Sequence, residues 1–146
     1  MGRMRIVGTV EEAVEIEEVA LNRILPNSFK HWLLDNNGTD LDWLHIYPVR
    51  DERDTRKTWQ SLVYNFENEW TECRKRFYKT DKIFSHLLPF ADFGTGDYYC
   101  FDYSVEAKSS ERPVVLWANE TGCTELCAED FDEFVEKVLS KDVRSG

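Results

Sequence analysis

Two short apolar runs separated by a glycine-rich turn stand out in the pattern of hydrophobic and polar positions, within residues 88–103. The turn, residues 93–97, holds two glycines within three positions, and glycine readily adopts the positive φ that tight turns need. The second run, residues 98–103, is almost wholly aromatic or apolar, and residues 113–117 form another continuous apolar run. Such runs are typical of strands covered on both faces. The pattern predicts a β-hairpin in a central sheet that helices cover.

The first two predicted helices are marked by their ends. Thr9 and Glu12 have the spacing of a capping box, so a helix begins there, and Asn22 suits the left-handed conformation that ends it. A second helix is predicted over residues 28–36 and ends before Gly38. The buried stripes of the two helices are Val10, Ala13, Val14, Leu21 and Ile24 in the first, and Phe29, Trp32 and Leu33 in the second.

One acidic residue, Glu17, falls inside the first of these stripes. Its carboxylate either reaches out to solvent along the helix or pairs with a buried base. Both alternatives are open from the sequence.

The longest apolar stripe runs from residue 59 to residue 77 and predicts one helix of about five turns packed across the sheet. A second regular stripe predicts a closing helix, with Glu129 and Asp130 at its start, where acidic groups favour the helix dipole. The tail after Lys141 is expected to fray. The stripes are Trp59, Leu62, Val63, Phe66, Trp70, Cys73 and Phe77, and then Phe131, Phe134, Val135, Val138 and Leu139.

The remaining segments are predicted as strands and loops. Residues 41–49 alternate between two faces, which predicts a half-covered strand stopped by Pro48. The charged run 51–57 has no periodicity and is predicted to be a solvated loop. A polar loop over 108–112 precedes the strand within 113–117, and residues 125–128 form a predicted edge strand.

Three aspartates, Asp92, Asp97 and Asp102, fall at the ends of the predicted hairpin strands. Carboxylates in such positions either accept hydrogen bonds from nearby backbone N–H groups or face a partner. The first alternative is the more common one in proteins.

Composition is that of one folded domain. The chain has 146 residues, of which 42% are hydrophobic and 14% aromatic, enough to bury a core without disulfides or metals. No apolar run approaches the ~18 residues of a membrane span, and the basic N-terminus lacks the apolar core of a secretion signal. We expect a single domain, residues 1–146 with its core at about 10–139, in the cytoplasm.

Charge is concentrated towards the end of the chain. The net charge is −10, and residues 83–146 carry 13 acidic and 5 basic side chains. Binding to phosphate backbones and anionic membranes depends on Lys and Arg. The distribution therefore argues against nucleic-acid and membrane partners and favours a basic protein, although solubility alone also explains an acidic surface.

Cysteines and histidines give no sign of a metal or cofactor. A chain of this size without an export signal needs no disulfides, so we expect the four cysteines to be free thiols. Cys123 and Cys127 are the only close pair, a weak metal signal without a second pair or a nearby His. His45 is expected to be a surface or packing residue. The sequence predicts no metal site, no cofactor and no catalytic residue.

An ordered set of motifs resembles the SUKH superfamily, and the likeness spans residues 10–139. The chain departs from the family's spacing between residues 49 and 87, around the predicted long helix. The motifs are Leu25-Pro26, Phe29-Lys30, Trp32-Leu33-Leu34, Asn37-Gly38, Gly94-Thr95-Gly96-Asp97, Tyr99-Cys100-Phe101-Asp102, Pro113-Val114-Val115, Trp117, and Phe131 with Phe134.

The resemblance implies an α+β fold, a single domain whose mostly antiparallel central sheet is packed with helices. Bacterial members of the family resemble immunity proteins, so the likeness also implies a protein that neutralises a cognate polymorphic toxin. The acidic charge around the hairpin favours a toxin of the basic nuclease type. The alternative is a regulatory or adaptor domain of the same family, which other members resemble. No enzymatic activity comes with the family, and an enzyme built from Asp97, Asp102, Glu120 and His45 is the least favoured class.

The expected partner-binding residues lie around the hairpin and the strand ends. Carboxylates are expected to steer a basic toxin, and aromatic side chains to supply anchors that lose their water in the complex. The candidates are Asp92, Asp97, Glu120 and Glu125 for charge, with Tyr98 and Trp43 as anchors.

Overall fold

A computed structural model describes residues 9–104 and 110–140 of the chain. The helices there are α1 (Val10–Leu21), α2 (Asn27–Asn36), α3 (Thr55–Thr58), α4 (Leu62–Glu67), α5 (Glu69–Arg74) and α6 (Phe131–Leu139). The strands are β1 (His45–Ile46), β2 (Leu87–Asp92), β3 (Tyr98–Asp102), β4 (Val114–Trp117) and β5 (Thr124–Ala128). The tail after residue 141, and residues 108 and 109 of the predicted polar loop, lie outside the described residues.

The five strands form one antiparallel sheet in the order β1-β2-β3-β4-β5. Each strand pairs with the next along the chain, so Leu88 lies opposite Phe101 and Tyr99 lies opposite Leu116. β3 is central, β2 and β4 flank it, and β5 is an edge strand. The predicted hairpin, inner strands and edge strand are confirmed, and so is the α+β class with an antiparallel sheet and helices.

One face of the sheet packs against α2 and α6 through phenylalanine side chains. The rings of Phe90 and Phe101 stack with centroids 4.1 Å apart. Phe29 of α2 meets Phe131 of α6 at 5.0 Å, above these strand residues. These rings are fully buried, so aromatic packing joins the sheet to both helices.

The opposite face is covered by the segment between β1 and β2. Trp70 of α5 packs edge-on against Trp117 of β4, with ring centroids 4.9 Å apart. Phe77 and Phe84 contact the same Trp117 ring at 5.8 and 5.5 Å. Trp117 therefore lies at the centre of a second aromatic core.

The single long helix predicted for residues 59–77 is wrong. The segment forms α4, α5 and a 3₁₀ turn, Lys75–Phe77, while Trp59 lies before them with 48% of its surface exposed. The Ser61 hydroxyl accepts a backbone N–H and begins α4, and the Asn68 side chain donates to a carbonyl of α4 at 2.9 Å where that helix ends. Short polar side chains that bond the local backbone compete with helix continuation. The apolar stripe keeps its spacing across these breaks, so periodicity does not reveal them.

The strand predicted for residues 41–49 is reduced to the two residues of β1. Proline has no N–H to donate to a neighbouring strand. The Pro48 carbonyl instead accepts the Leu62 N–H at 2.8 Å, which draws the chain away from the sheet and towards α4.

The charged run 51–57 is more ordered than the solvated loop that its composition predicts. The Asp51 N–H donates to the Thr58 hydroxyl at 2.9 Å, and α3 begins within the run. The Arg53 guanidinium donates to the Asp51 carboxylate at 2.9 Å, and this hydrogen bond lowers the pKa of Asp51.

Most of the predicted helix ends are confirmed. The Thr9 hydroxyl accepts the Glu12 N–H at 3.1 Å in a complete capping box, and Asn22 ends α1 with φ of 56°. Two members of the predicted stripes, Ile24 and Leu139, are instead exposed. Both lie at or beyond the end of a helix, where the chain turns away from the core.

Glu17 is buried, with 5% of its surface exposed, and both predicted alternatives are wrong. Its two carboxylate oxygens accept the Val63 N–H at 3.0 Å and the Arg50 N–H at 3.4 Å. Val63 lies in the first turn of α4, where N–H groups lack partners within the helix. Glu17 therefore caps α4 from α1. Burial raises its pKa, and the hydrogen bonds oppose that shift.

Candidate partner-binding surface

In the antiparallel sheet, β2 and β4 end at the same edge at which β3 and β5 begin. The β2–β3 turn and the β4–β5 turn therefore meet at one end of the sheet. The Asp97 carboxylate joins the two turns by accepting the Asn119 N–H at 2.8 Å. We call this region the sheet-end surface. Its candidate residues are Trp43, Asp92, Asp97, Glu120 and Glu125.

The three hairpin aspartates all accept backbone N–H groups. Asp92 accepts the Gly94 N–H at 3.0 Å within its own turn, and Asp102 accepts the Ser104 N–H at 2.8 Å. With the Asp97 bond described above, the alternative in which these carboxylates bind nearby N–H groups is confirmed. The turns therefore depend on these carboxylates.

Tyr98 is not a surface anchor, because only 6% of it is exposed. Its ring lies 5.5 Å from the Trp70 ring, and its hydroxyl lies 3.4 Å from the Cys73 sulfur. A neighbouring phenol, Tyr47, donates to the Asp92 carboxylate. Burial raises the pKa of both tyrosines, and the charge of Asp92 adds to the shift at Tyr47. These side chains support the sheet-end surface from beneath.

The other candidate residues differ in exposure. Trp43 is half-buried, with its ring 5.7 Å from Phe93, which in turn contacts Tyr99 at 5.8 Å. Glu120 and Glu125 are exposed, the first in the β4–β5 turn and the second on β5. Glu120 and Glu125 are therefore the carboxylates of this surface that most readily meet a partner.

Two basic residues at the sheet end were not found from the sequence. Arg76 donates to the Asn119 side chain at 3.1 Å, and the stem of Lys82 lies beside Gly122. The basic run 74–76 is visible in the sequence, but only the fold shows that it ends against the β4–β5 turn. The sheet-end surface is thus less uniformly acidic than the charge distribution along the chain suggests.

The SMI1 / KNR4 family (SUKH-1) model matches residues 8–137 of the chain, which include the whole sheet and both cores. The chain belongs to this family. The chain matches no curated protein significantly. Membership of SUKH-1 is consistent with a toxin-immunity protein.

The residues considered for catalysis do not come together in this SUKH-1 chain. Asp97 precedes β3 and Asp102 ends it, so the two carboxylates lie at opposite ends of a strand that rises ~3.3 Å per residue. The His45 ring lies 2.7 Å from Asp40, an exposed pair beside β1. Glu120, in the β4–β5 turn, and His45, opposite Asp92 on β1, lie at the same end of the sheet as Asp97, but β2 and β3 separate β1 from β4.

The four cysteines are free thiols, as predicted. Burial raises the pKa of Cys100 well above its usual range and that of Cys127 to about 11. Neither thiol is an activated nucleophile, because the reactive form is the thiolate. Within residues 9–104 and 110–140, no group of three or more His, Cys, Asp and Glu side chains is placed to hold a metal ion. No helix in those ranges is long and apolar enough to cross a membrane.

Proposed function

We propose that this protein is an immunity protein that binds and neutralises a cognate protein toxin in bacteria. The observation that carries the proposal is the SUKH-1 family match over residues 8–137. Neutralisation by binding requires no catalytic machinery, so we expect the purified protein to show no nuclease or hydrolase turnover. Turnover that is lost in Asp97→Asn, in a protein that stays folded, would contradict this expectation.

The net charge of −10 supports a basic toxin domain as the partner. Complementary charge increases the rate at which two proteins meet, more than it strengthens the final complex. In this proposal the sheet-end surface attracts the toxin through its exposed carboxylates, Glu120 and Glu125, and the half-buried Trp43 adds apolar area.

Co-expression with the toxin domain encoded beside this gene tests the function. The wild-type protein is expected to restore growth. Glu120→Lys/Glu125→Lys is the appropriate charge reversal, because the same change at Asp92 or Asp97 would break the turns. Asp35→Lys/Glu136→Lys is a control with the same charge change at exposed positions of α2 and α6.

Two outcomes separate the parts of the proposal. No protection by the wild type rejects the immunity function for that toxin. Equal protection and equal association rates for wild type, Glu120→Lys/Glu125→Lys and the control reject the sheet-end surface but leave the function standing. Salt provides a second measure: raising ionic strength to about 0.5 M is expected to slow association tenfold or more, because charges are screened beyond several Å.

A further inference from the structure

The outward face of α1 carries aliphatic side chains that nothing in the described structure covers. Ile16 and Val19, three residues apart on one face, are 66% and 82% exposed, and Ile24 just beyond the helix is 65% exposed. Monomeric proteins seldom expose contiguous apolar area of this kind without an interaction that uses it. This face is therefore a candidate docking surface.

A groove of about 790 Å³ continues this apolar area. We call it the Tyr103 groove. Its lining residues are Val19, Ile24 and Tyr103, together with Glu15, Glu18, Asn22, Arg23 and Arg112. The guanidinium groups of Arg23 and Arg112 lie 5.2 and 4.7 Å from the centre of the Tyr103 ring, and the Tyr103 hydroxyl donates to the Ile24 carbonyl at 2.8 Å. Because these contacts hold the Tyr103 ring in place, the apolar part of the groove is preorganised for an apolar side chain.

A second groove of about 690 Å³ adjoins the first along α1 and extends against α2, and Glu15 and Glu18 line both grooves. We call it the acidic groove, because five of its lining residues are carboxylates. Two of these serve the fold: Glu18 accepts the Leu25 N–H at 2.8 Å, and Glu111 accepts from Ser28. The five carboxylates are Glu11, Glu15, Glu18, Glu111 and Asp132, and the basic lining residues are Lys30 and His31.

The remaining carboxylates of the acidic groove are available to a ligand. Within the described part of the chain, Glu11, Glu15 and Asp132 take part in no hydrogen bond or ion pair. Glu15 lines both grooves, so the acidic and apolar features adjoin along α1. Asp92 and Asp97 of the sheet-end surface differ in this respect, because both are bound to the protein's own N–H groups.

We infer that α1, with the two adjoining grooves along it, docks a basic segment of the toxin that carries an apolar side chain. The apolar side chain packs on Ile16 and Val19 and enters the Tyr103 groove. Lysine or arginine side chains of the same segment meet Glu11 and Glu15 in the acidic groove. This inference rests on the proposed function and names the contact surface for it.

The two surfaces then have different kinetic roles. The Tyr103 groove and the sheet-end surface lie at opposite ends of β3. Exposed charges attract a partner from a distance and act mainly on association, whereas buried anchors act mainly on dissociation. The sheet-end surface attracts the toxin, and the α1 face holds it. Changes in the α1 aliphatic residues are therefore expected to increase the dissociation rate and to leave association nearly unchanged.

Binding kinetics with the adjacent toxin domain, inactivated by substitution in its own active site, test this division. Ile16→Gln/Val19→Gln keeps helix-forming residues in α1 and is expected to raise the dissociation rate tenfold or more. Ile83→Gln/Leu139→Gln is the matched control, since these aliphatic side chains are 70% and 59% exposed elsewhere on the protein. The control is expected to bind within about twofold of wild type.

Glu11→Gln/Glu15→Gln is expected to weaken binding several-fold, and the loss should shrink in high salt. Unchanged dissociation in Ile16→Gln/Val19→Gln, with wild-type binding intact, overturns the α1 surface and spares the immunity function. Failure of the wild type to bind overturns the function for that toxin, and the inference with it. A wild-type dimer that becomes monomeric in Ile16→Gln/Val19→Gln would show that a second copy covers α1, which also overturns the inference.

Discussion

Trp117→Ala removes the ring at the centre of the aromatic core between β4 and α5. The ring is fully buried and contacts Trp70, Phe77 and Phe84 at 4.9, 5.8 and 5.5 Å. A buried aromatic side chain withdraws roughly 150–250 Å² from water, which at ~25 cal/mol per Å² corresponds to about 4–6 kcal/mol. Alanine keeps part of this area and the site relaxes, so the expected loss in the free energy of unfolding is about 3–5 kcal/mol.

Urea unfolding followed by far-ultraviolet circular dichroism measures this loss without relying on the fluorescence of the removed tryptophan. At a typical m-value of about 2 kcal/mol per M, the midpoint is expected to fall by roughly 1.5–2.5 M. Trp59→Ala is the matched control, because Trp59 is half exposed, and it should cost less than about 1 kcal/mol. A loss of that size in Trp117→Ala, with an unchanged m-value, would refute the packing described for this core.

Three further outcomes are expected. Burial raises the pKa of Glu17 above its ordinary value of 4.5. The stability that Glu17 contributes is therefore fully present below pH 4.5 and is lost as pH rises through the raised pKa. Urea midpoints compared across pH should not show this loss in Glu17→Gln. Gly122→Ala should lower the free energy of unfolding by about 1–3 kcal/mol, because φ is 74° and a Cβ there would lie 3.0 Å from Phe77. Gly94→Ala should cost less, because φ is 89° but a Cβ there would meet no atom within 4 Å. Amide hydrogens of β3 and β4 should exchange far more slowly than those of the β2–β3 turn; equal rates would contradict a central position for these strands.

Several local features follow from the residues alone. The capping box of Thr9 and Glu12 satisfies backbone groups within one turn, so its geometry depends on neighbours in the chain. The hairpin depends on glycines at positive φ, and Gly94 and Gly96 adopt φ of 89° and 95°. The strands on either side are recognisable because apolar runs of this length must be covered on both faces. The sequence also determines the net charge and the motif order that identifies the family.

Features that depend on contacts between residues far apart in the chain are determined only by the tertiary structure. Periodicity predicts one helix over residues 59–77. Besides the local bonds of Ser61 and Asn68, the start of α4 depends on the distant Pro48 carbonyl, which accepts the Leu62 N–H. Glu17 is buried because α4 presents unpaired N–H groups to it, and no property of α1 shows that.

Some features of the candidate surface also follow from the sequence, and others only from the fold. Its carboxylates are placed near one another by strand ends that the sequence reveals, whereas Tyr98 lies in the core because the pleat turns it towards Trp70. Arg76 reaches the same end only through the path of the chain after α5. The exposed aliphatic face of α1 has helical spacing, as a buried face does. Only packing, which covers Ala13 and Val14 and leaves Ile16 and Val19 in water, distinguishes the two.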